Sequence, residues 1–493
     1  MAQLDFTAGP KEEPKVWSPY QNAVFDFVRH GQGNAIVNAV AGSGKSTTIE
    51  QANKFVHGES LFLAFNKAIA DELKARGLNA RTFHSLCYGP VLRATGAKQV
   101  DENKLFKMMK EHWNEQQNFL YGNWARKLIG LAKQNGIGCI IDNTRSAWID
   151  IAEHHDLALD PEDGIDPEYG LDLCRKFFEV NIASNMVDFD DLLYYAVRYT
   201  IPLKKYDFIF CDEGQDTNAI QRAILKKVRK NSSRLVVVGD RSQAIYGFRG
   251  ADSNSLDLIR DDFDCTELPL SISYRCARKI VEHARQWENT ILPREGAPEG
   301  VVEERKTDWN ISEFTEDDLV VCRTTAPLIS IAFRMLKKRL PVKILGRDIG
   351  VGLKRLVEKT KATTIDTLEE LLIRYCQREV DKYMQRGEEK LAEAVTDKVD
   401  ALLVLCDSLA ENERTVAELL RVLDSIFNNR SDCVTLCTIH KSKGLESDRV
   451  FWVNSSQCPS KWAKKPWQIE QEHNLCYVAT TRAKNTLVLI ETE

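Results

Sequence analysis

Residues 34–46 read Asn34-Ala-Ile-Val-Asn-Ala-Val-Ala-Gly-Ser-Gly-Lys-Ser46. An apolar run of strand length meets a glycine turn, and Lys-Ser then opens a helical pattern. Backbone N–H groups of such a turn cradle phosphate oxygens, and the helix N-terminus adds a favourable dipole. Lys45 is placed to reach the β- and γ-phosphates of a nucleotide, and Ser46 to ligate Mg²⁺. Ala39 stands where the strict pattern begins with glycine. Ala39, Val40, Ala41, Gly42, Ser43, Gly44, Lys45, Ser46 and Thr47 form the expected phosphate-binding set.

Outward from this stretch the same alternation repeats. Short apolar runs at 60–65, 79–83, 206–212 and 235–240 are bounded by Gly, Asp or polar turns, with helical patterns between them. That alternation argues a parallel α/β sheet. Upstream, residues 1–16 read as a disordered lead, and Ser18-Pro19 as an N-cap with an N1 proline, opening a helix through Val24, Phe27 and Val28. Residues 86–185 are helical and polar, basic-leaning first and acidic over 150–172, and read as a helical insert. A second strand series begins near 265, with runs at 266–272, 318–323, 342–346, 433–440, 449–454 and 486–490. Residues 347–431 contain no proline and show helical periodicity at Leu368, Leu371, Leu372 and Tyr375. The expected organisation is therefore two α/β domains, each interrupted. The first comprises 1–85 and 186–264 around the insert 86–185. The second comprises 265–346 and 432–493 around a reduced insert, 347–431.

The composition bounds the function. At 493 residues the chain is about three typical domains long. Its formal net charge of −5 excludes a uniformly basic nucleic-acid coat, so any such site must be a local groove. No apolar run approaches the roughly 18 residues of a membrane helix. The N-terminus lacks an apolar leader core. The 13 cysteines include no CxxC pair, which suits a reducing compartment. The expected location is cytoplasmic, or nuclear in a eukaryotic host, and a viral origin stays open.

A second motif lies at Asp207-Phe-Ile-Phe-Cys-Asp-Glu-Gly-Gln-Asp216, where an apolar strand ends in adjacent carboxylates. A Mg²⁺–nucleotide site needs one carboxylate near the metal and one base for the attacking water. Asp212 fits the first role and Glu213 the second. A third stretch is Leu235-Val-Val-Val-Gly-Asp-Arg-Ser-Gln-Ala-Ile-Tyr-Gly-Phe-Arg-Gly-Ala251. With these motifs the chain resembles the UvrD/Rep/PcrA class of superfamily 1 DNA helicases over nearly its whole length outside the inserts. The resemblance implies two RecA-like domains with ATP in the cleft between them and single-stranded DNA across the top.

It also implies roles by position. Gln21 falls at the adenine-reading glutamine, and Gln243 at the glutamine that senses the γ-phosphate. Tyr274 and Arg275, in Leu270-Ser-Ile-Ser-Tyr-Arg-Cys276, match a tyrosine that stacks on adenine and an arginine that reaches the γ-phosphate. Glu446 ends Thr435-Leu-Cys-Thr-Ile-His-Lys-Ser-Lys-Gly-Leu-Glu446 and matches a ribose contact. Arg482, in Glu472-His-Asn-Leu-Cys-Tyr-Val-Ala-Thr-Thr-Arg-Ala483, matches the arginine finger of the second domain. Its competing reading is a surface ion pair, while Tyr477 reads as a core tyrosine. For DNA the implied contacts are Phe65, Thr82, His84, Tyr246, Phe248, Arg249 and His440. Stacking aromatics with basic phosphate contacts are the usual grip on a single strand.

Some positions depart from the family. Phe248 stands where tryptophan is usual, Gly214 where phenylalanine is common, and Phe65 one residue later than the aromatic of many relatives. F-box DNA helicases share the Phe-Asn-Lys and Thr-Phe-His-Ser segments. Lys461-Trp-Ala-Lys-Lys-Pro-Trp467 mixes aromatics and bases, and reads either as an exposed loop or as a nucleic-acid contact.

The resemblance thus implies an ATP- and Mg²⁺-dependent DNA helicase or translocase, moving 3′ to 5′ on single-stranded DNA and acting at single-strand/duplex junctions. A protein partner and the pathway stay open. Two rival readings remain. One is a DNA-stimulated ATPase that strips proteins from DNA. The other is an effector whose nucleotide state signals to a partner.

Overall fold

The computed structural model describes residues 16–155, 157, 165–245, 254–385, 389–427 and 432–492. The expected disordered lead falls outside these residues, apart from residue 16.

The chain opens with α1 (Pro19–His30), capped by Ser18 as its sequence predicts. It continues through β1 (Asn34–Ala39), α2 (Lys45–Asn53), β2 (Ser60–Ala64), α3 (Lys67–Ala75) and β3 (Ala80–Thr82). Thr82 ends β3 because its hydroxyl accepts the Ser85 N–H at 3.1 Å and so starts the next helix. Six helices follow: α4 (Phe83–Thr95), α5 (Lys104–His112), α6 (Glu115–Asn135), α7 (Arg145–His154), α8 (Pro167–Ile182) and α9 (Phe189–Arg198). The helical insert is thus wider at both ends than 86–185. Then come β4 (Tyr206–Cys211), α10 (Ala219–Lys227), β5 (Arg229–Gly239), α11 (Ser255–Phe263) and β6 (Cys265–Leu270).

Among the described residues these strands form one six-stranded parallel sheet in the order β3-β2-β4-β5-β1-β6. β1 is covered on both faces, which is why its consecutive residues Ala35, Ile36 and Val37 are all apolar and buried. One expectation is corrected here. Residues 266–272 were assigned to the second domain, but β6 pairs with β1, with Ala35 opposite Thr266 and Ala39 opposite Leu270. The crossover through α11 returns the chain to the free side of β1, so the first sheet extends to Leu270.

A two-residue ribbon follows, β7 (Ile272–Ser273) with β8 (Leu292–Pro293), and α12 (Arg278–Ala284) lies between its strands. The second sheet begins at β9 (Val301–Glu304). It adds β10 (Leu319–Cys322), α13 (Ala326–Lys337) and β11 (Val342–Ile344). The reduced insert is helical: α14 (Arg347–Thr360), α15 (Ile365–Gln385), α16 (Glu389–Ser408) and α17 (Val416–Ile426). β12 (Val434–Thr438), β13 (Ser447–Val453), α18 (Pro466–Thr480) and β14 (Ala483–Ile490) complete the described chain. The second sheet is also parallel and six-stranded, in the order β11-β12-β10-β13-β14-β9.

The two sheets dock on each other. Val40, Ala41 and Ile245 from the first share an apolar cluster with Ile439, Tyr477 and Val478 from the second. Among the described residues no helix is long and apolar enough to cross a membrane, and all 13 cysteines are free thiols.

The first insert carries a buried charge cluster. Lys104 Nζ lies 2.7 Å from Asp191 Oδ2 and donates to the Asn181 carbonyl and the Tyr195 hydroxyl, both at 2.9 Å. Lys133 Nζ lies 2.9 Å from Asp188 Oδ2 and 2.7 Å from Asp191 Oδ1. The same two aspartates cap α9 from its first turn.

Candidate functional site

The carboxyl ends of β1, β4 and β5 bring the three motifs of the first sheet together, where open parallel sheets place ligands. The turn after β1 needs its glycines. Gly42 and Gly44 have φ of +70° and +77°, in the left-handed region. A Cβ on Gly42 would also lie 2.4 Å from the Arg275 Cβ. This close approach lets the Tyr274 N–H donate to the Gly42 carbonyl at 2.8 Å. Gly44 ends the turn and α2 starts at Lys45, so the helix N-terminus opens where a phosphate would sit.

One cavity of about 410 Å³ spans the junction of the two sheets. Gly42, Ser43, Gly44, Lys45, Ser46, Thr47, Glu213 and Gln243 line it from the first sheet. Tyr274 and Arg275 line it from the connection, and Lys443, Gly444, Glu446 and Arg482 from the second sheet. Ala39, Val40 and Ala41, counted above with the phosphate-binding set, do not line it. They are buried beneath the turn, Val40 and Ala41 in the apolar contact with the second sheet.

Charge is concentrated here. Lys45 Nζ lies 3.4 Å from Glu213 Oε1. Burial pulls the Lys45 ammonium down, but Glu213, Asp240 and Asp212 outweigh it and hold it above its ordinary value. Burial opposes the charge of Glu213 too, yet Lys45 and Lys443 bring it down to about 2. Burial, reinforced by Glu213, pushes Asp212 up to about 6. Burial also takes Asp216 and Asp240 up to about 6. Lys443 Nζ crosses from the second sheet to Asp216 Oδ2 at 2.6 Å and to the Gln243 carbonyl at 2.9 Å.

The Ser46 hydroxyl sits close enough to the Asp212 carboxylate to favour its charge, placing a hydroxyl and a carboxylate at one corner. Among the described residues no group of three or more His, Cys, Asp or Glu side chains is arranged to hold a metal. A lone carboxylate with a hydroxyl nevertheless fits Mg²⁺, which keeps waters and takes substrate phosphates as ligands. The Ser43 hydroxyl is buried without a hydrogen-bond partner in the same turn, a donor and acceptor unspent by the protein.

The remaining predicted residues fall as follows. Gln21 is buried against the loop: its amide donates to Thr48 Oγ1 at 3.1 Å and its carbonyl accepts from the Tyr274 hydroxyl at 3.2 Å. Arg275 pairs with Glu446 at 2.6 Å and donates to the Thr481 carbonyl at 3.2 Å. Arg482 is 1% exposed, with Nε on the Val478 carbonyl and Nη1 on the Leu445 carbonyl, each at 3.0 Å. Burial and then Arg275 bring its guanidinium down to about 10, still protonated at neutral pH. Its surroundings are those of a buried cation beside a cavity, not of a surface ion pair. Gln243 donates to Asp240 Oδ2 at 2.6 Å. Gly214 has an evident packing reason, since a Cβ there would lie 2.3 Å from Val237 Cγ1.

The expected DNA contacts gather elsewhere. Phe65 follows the last residue of β2 and is 37% exposed. Thr82 and His84 flank the start of α4 at the end of β3, and burial lowers the His84 pKa. His440 lies in the turn after β12. These residues occupy the carboxyl ends of strands in both sheets. Tyr246, Phe248 and Arg249 lie outside the described residues. The segment 461–467 docks on the first insert: Lys465 donates to the Glu153 carbonyl, and Trp467 stacks on His154 at 5.2 Å.

Sequence reading passes over Lys443, Gly444, Asp216 and Asp240. All four sit inside the quoted motifs, but two lysines of His440-Lys-Ser-Lys443 compete for one role and spacing alone cannot choose between them.

Residues 20–264 match the family model described as UvrD/REP helicase N-terminal domain, and residues 353–493 that described as UvrD-like helicase C-terminal domain. The chain is 24% identical to a probable DNA helicase II homolog of Mycoplasma pneumoniae, over 93% of this chain and 82% of that one. It is 25% identical to F-box DNA helicase 1 of Gallus gallus, over 98% of this chain and 50% of the relative. It is 27% identical to the ATP-dependent DNA helicase Rep of Escherichia coli, over 54% of this chain and 42% of the relative.

Proposed function

The chain belongs to the UvrD-like superfamily 1 DNA helicase family, and from that premise we propose that it is an ATP-driven DNA helicase that moves 3′ to 5′ on single-stranded DNA. One observation carries the reading: a single cavity joins Lys45 and Glu213 of the first sheet to Glu446 and Arg482 of the second. A nucleotide bound there touches both halves, so its hydrolysis changes how they sit.

The chemistry follows from the charges. Lys45 and the loop N–H groups bind the β- and γ-phosphates. Ser46 and Asp212 would hold Mg²⁺, which when bound would neutralise phosphate charge. A triphosphate draws Lys45, the nearer of two lysines, away from Glu213 and so raises the basicity with which that carboxylate takes a proton from the attacking water. Gln243 senses the γ-phosphate between the two halves. Arg275 and Arg482 supply fixed guanidinium donors to the charge that builds on the phosphoryl oxygens. Tyr274 stacks on the adenine beside Gln21, and Glu446 takes the ribose.

The strand itself runs over the carboxyl ends of both sheets, past Phe65, Thr82, His84 and His440, and the family resemblance adds Tyr246, Phe248 and Arg249 as further contacts. Closure of the cleft on ATP and its opening after hydrolysis alternate the grip of the two halves and move the strand.

The test is ATP hydrolysis with single-stranded DNA, single-stranded RNA, duplex or nothing, joined to strand separation on 3′-tailed and 5′-tailed duplexes. Stimulation by single-stranded DNA with opening of the 3′-tailed substrate is expected. Efficient opening of the 5′-tailed substrate contradicts the polarity. DNA-stimulated hydrolysis without strand separation favours a protein-displacing motor.

A further inference from the structure

Helix α18 reaches the cleft through more than Arg482, which follows its C-terminal end. Its N-terminal half is tied to its own domain by Glu472, which meets Arg323, just past β10, in a two-pronged pair. Arg323 Nε lies 3.0 Å from Glu472 Oε2, and Nη2 lies 2.8 Å from Oε1. Such a fork fixes orientation as well as distance. The next turn reaches across to the first domain. The Asn474 amide donates to the Ala244 carbonyl at 3.0 Å and to the Arg241 carbonyl at 3.3 Å. Those carbonyls bracket the 3₁₀ turn Arg241–Gln243, which presents Gln243 to the cavity. Three residues on, the Tyr477 hydroxyl accepts the Ala41 N–H at 2.9 Å. Ala41 lies under the phosphate loop and does not line the cavity. Tyr477 is fully buried, and its ring packs with Val40 and Ala41. Asn474 and Tyr477 share one face of the helix by their spacing.

We propose that α18 is a strut that keeps the two halves of the cleft in register, with Tyr477 and Asn474 as positioning residues. Tyr477 holds the phosphate loop from below, Asn474 holds the turn that carries Gln243, and Arg482 stands two residues past the end of the same helix. A shift of the second sheet therefore carries the loop and the Gln243 turn with it. If the loop moved alone, the Ala41 N–H would be left buried and unbonded, a costly state for a backbone donor. Neither residue touches the nucleotide, so their work is done on kcat and not on binding.

This rests on the proposed function, and one experiment separates the two. Hydrolysis is measured for wild type, Tyr477→Phe, Asn474→Ala and the double variant, with and without a thymidine oligonucleotide, alongside thermal melts. Tyr477→Phe keeps the ring and removes only the acceptor. Each single variant is expected to lose at least fivefold in the ratio of DNA-stimulated to DNA-free kcat, with the KM for ATP moving less than threefold. The double variant is expected to lose less than the product of the two, because both residues act on one element. Stimulation ratios within twofold of wild type in both single variants, whatever the melting temperatures, overturn the strut. Should the wild-type rate not respond to DNA, the proposed function falls. The strut is then read from DNA-free turnover, where lower kcat at constant KM supports it and unchanged values for both overturn it.

Discussion

The nucleotide cleft and the first helical insert both bury lysines among aspartates, yet the two clusters are built to opposite ends. In the insert, Lys104 and Lys133 face Asp188 and Asp191, with Asp190 alongside pushed up to about 6 by burial and Asp188, and the Asn181 carbonyl and the Tyr195 hydroxyl take further protons of Lys104. The aspartates also accept backbone N–H groups at the start of α9. In the cleft, Lys45 and Lys443 meet Asp212, Glu213, Asp216 and Asp240, so acid is in surplus, and three of the four carboxyls are pushed up to about 6. Asp216 Oδ1 and the Ser43 hydroxyl are buried without hydrogen-bond partners. The insert cluster, whose two lysines are bound by the inner aspartates and lie away from the cavity of the cleft, staples helices together. The cleft cluster, with carboxylates in surplus and its lysines opening on a cavity, is organised for something that arrives.

Substitutions should separate the two clusters. Glu213→Gln keeps shape and removes the base, so turnover should fall by roughly two to four orders of magnitude while ATP binding persists. Rapid-quench hydrolysis beside equilibrium nucleotide binding checks this, and loss of binding would give Glu213 another role. Lys133→Met leaves Asp188 and Asp191 facing each other underneutralised in the insert. That should cost about 3–5 kcal/mol of stability, seen by denaturant unfolding, with kcat per folded molecule unchanged. A fall in kcat without a fall in stability would make the insert cluster functional and erase the contrast.

The smallest effect is on acid stability. Burial opposes the charge of Asp188, but Lys133 outweighs it and holds the carboxyl below its ordinary value. A depressed carboxylate contributes stability that is present above the unfolded value and lost as pH falls through the folded one. The helical signal should therefore hold from pH 7 to about 5 and fall only below about 4, the ordinary range of an aspartate.

The sequence made some of this legible and hid the rest for identifiable reasons. The loop at 34–46 and the strand end at Asp212 were readable because phosphate binding demands glycines, a lysine and a carboxylate at fixed offsets along the chain. The assignment of 266–272 was not, because an apolar run does not say which sheet it joins. Only the crossover through α11 puts β6 beside β1. Tyr477 read as a core residue, and its ring is one, but the partner of its hydroxyl lies 436 residues away. No local pattern reports such a contact. The ion pair of Lys45 with Glu213 was equally invisible, although both residues were singled out.

The central claim is that one nucleotide site is completed by both domains, and Arg482 tests it most directly. It is buried on the second side of the cavity, anchored to the Val478 and Leu445 carbonyls, while Lys45 lines the first side. A positioned arginine can be worth roughly 10³–10⁵ in phosphoryl transfer. The measurement is DNA-stimulated ATP hydrolysis by Arg482→Ala, with ATP affinity determined in parallel. The account predicts turnover well below a tenth of wild type with much of the affinity retained, because Lys45 and Tyr274 remain. Turnover above about a tenth of wild type in a folded variant would contradict it.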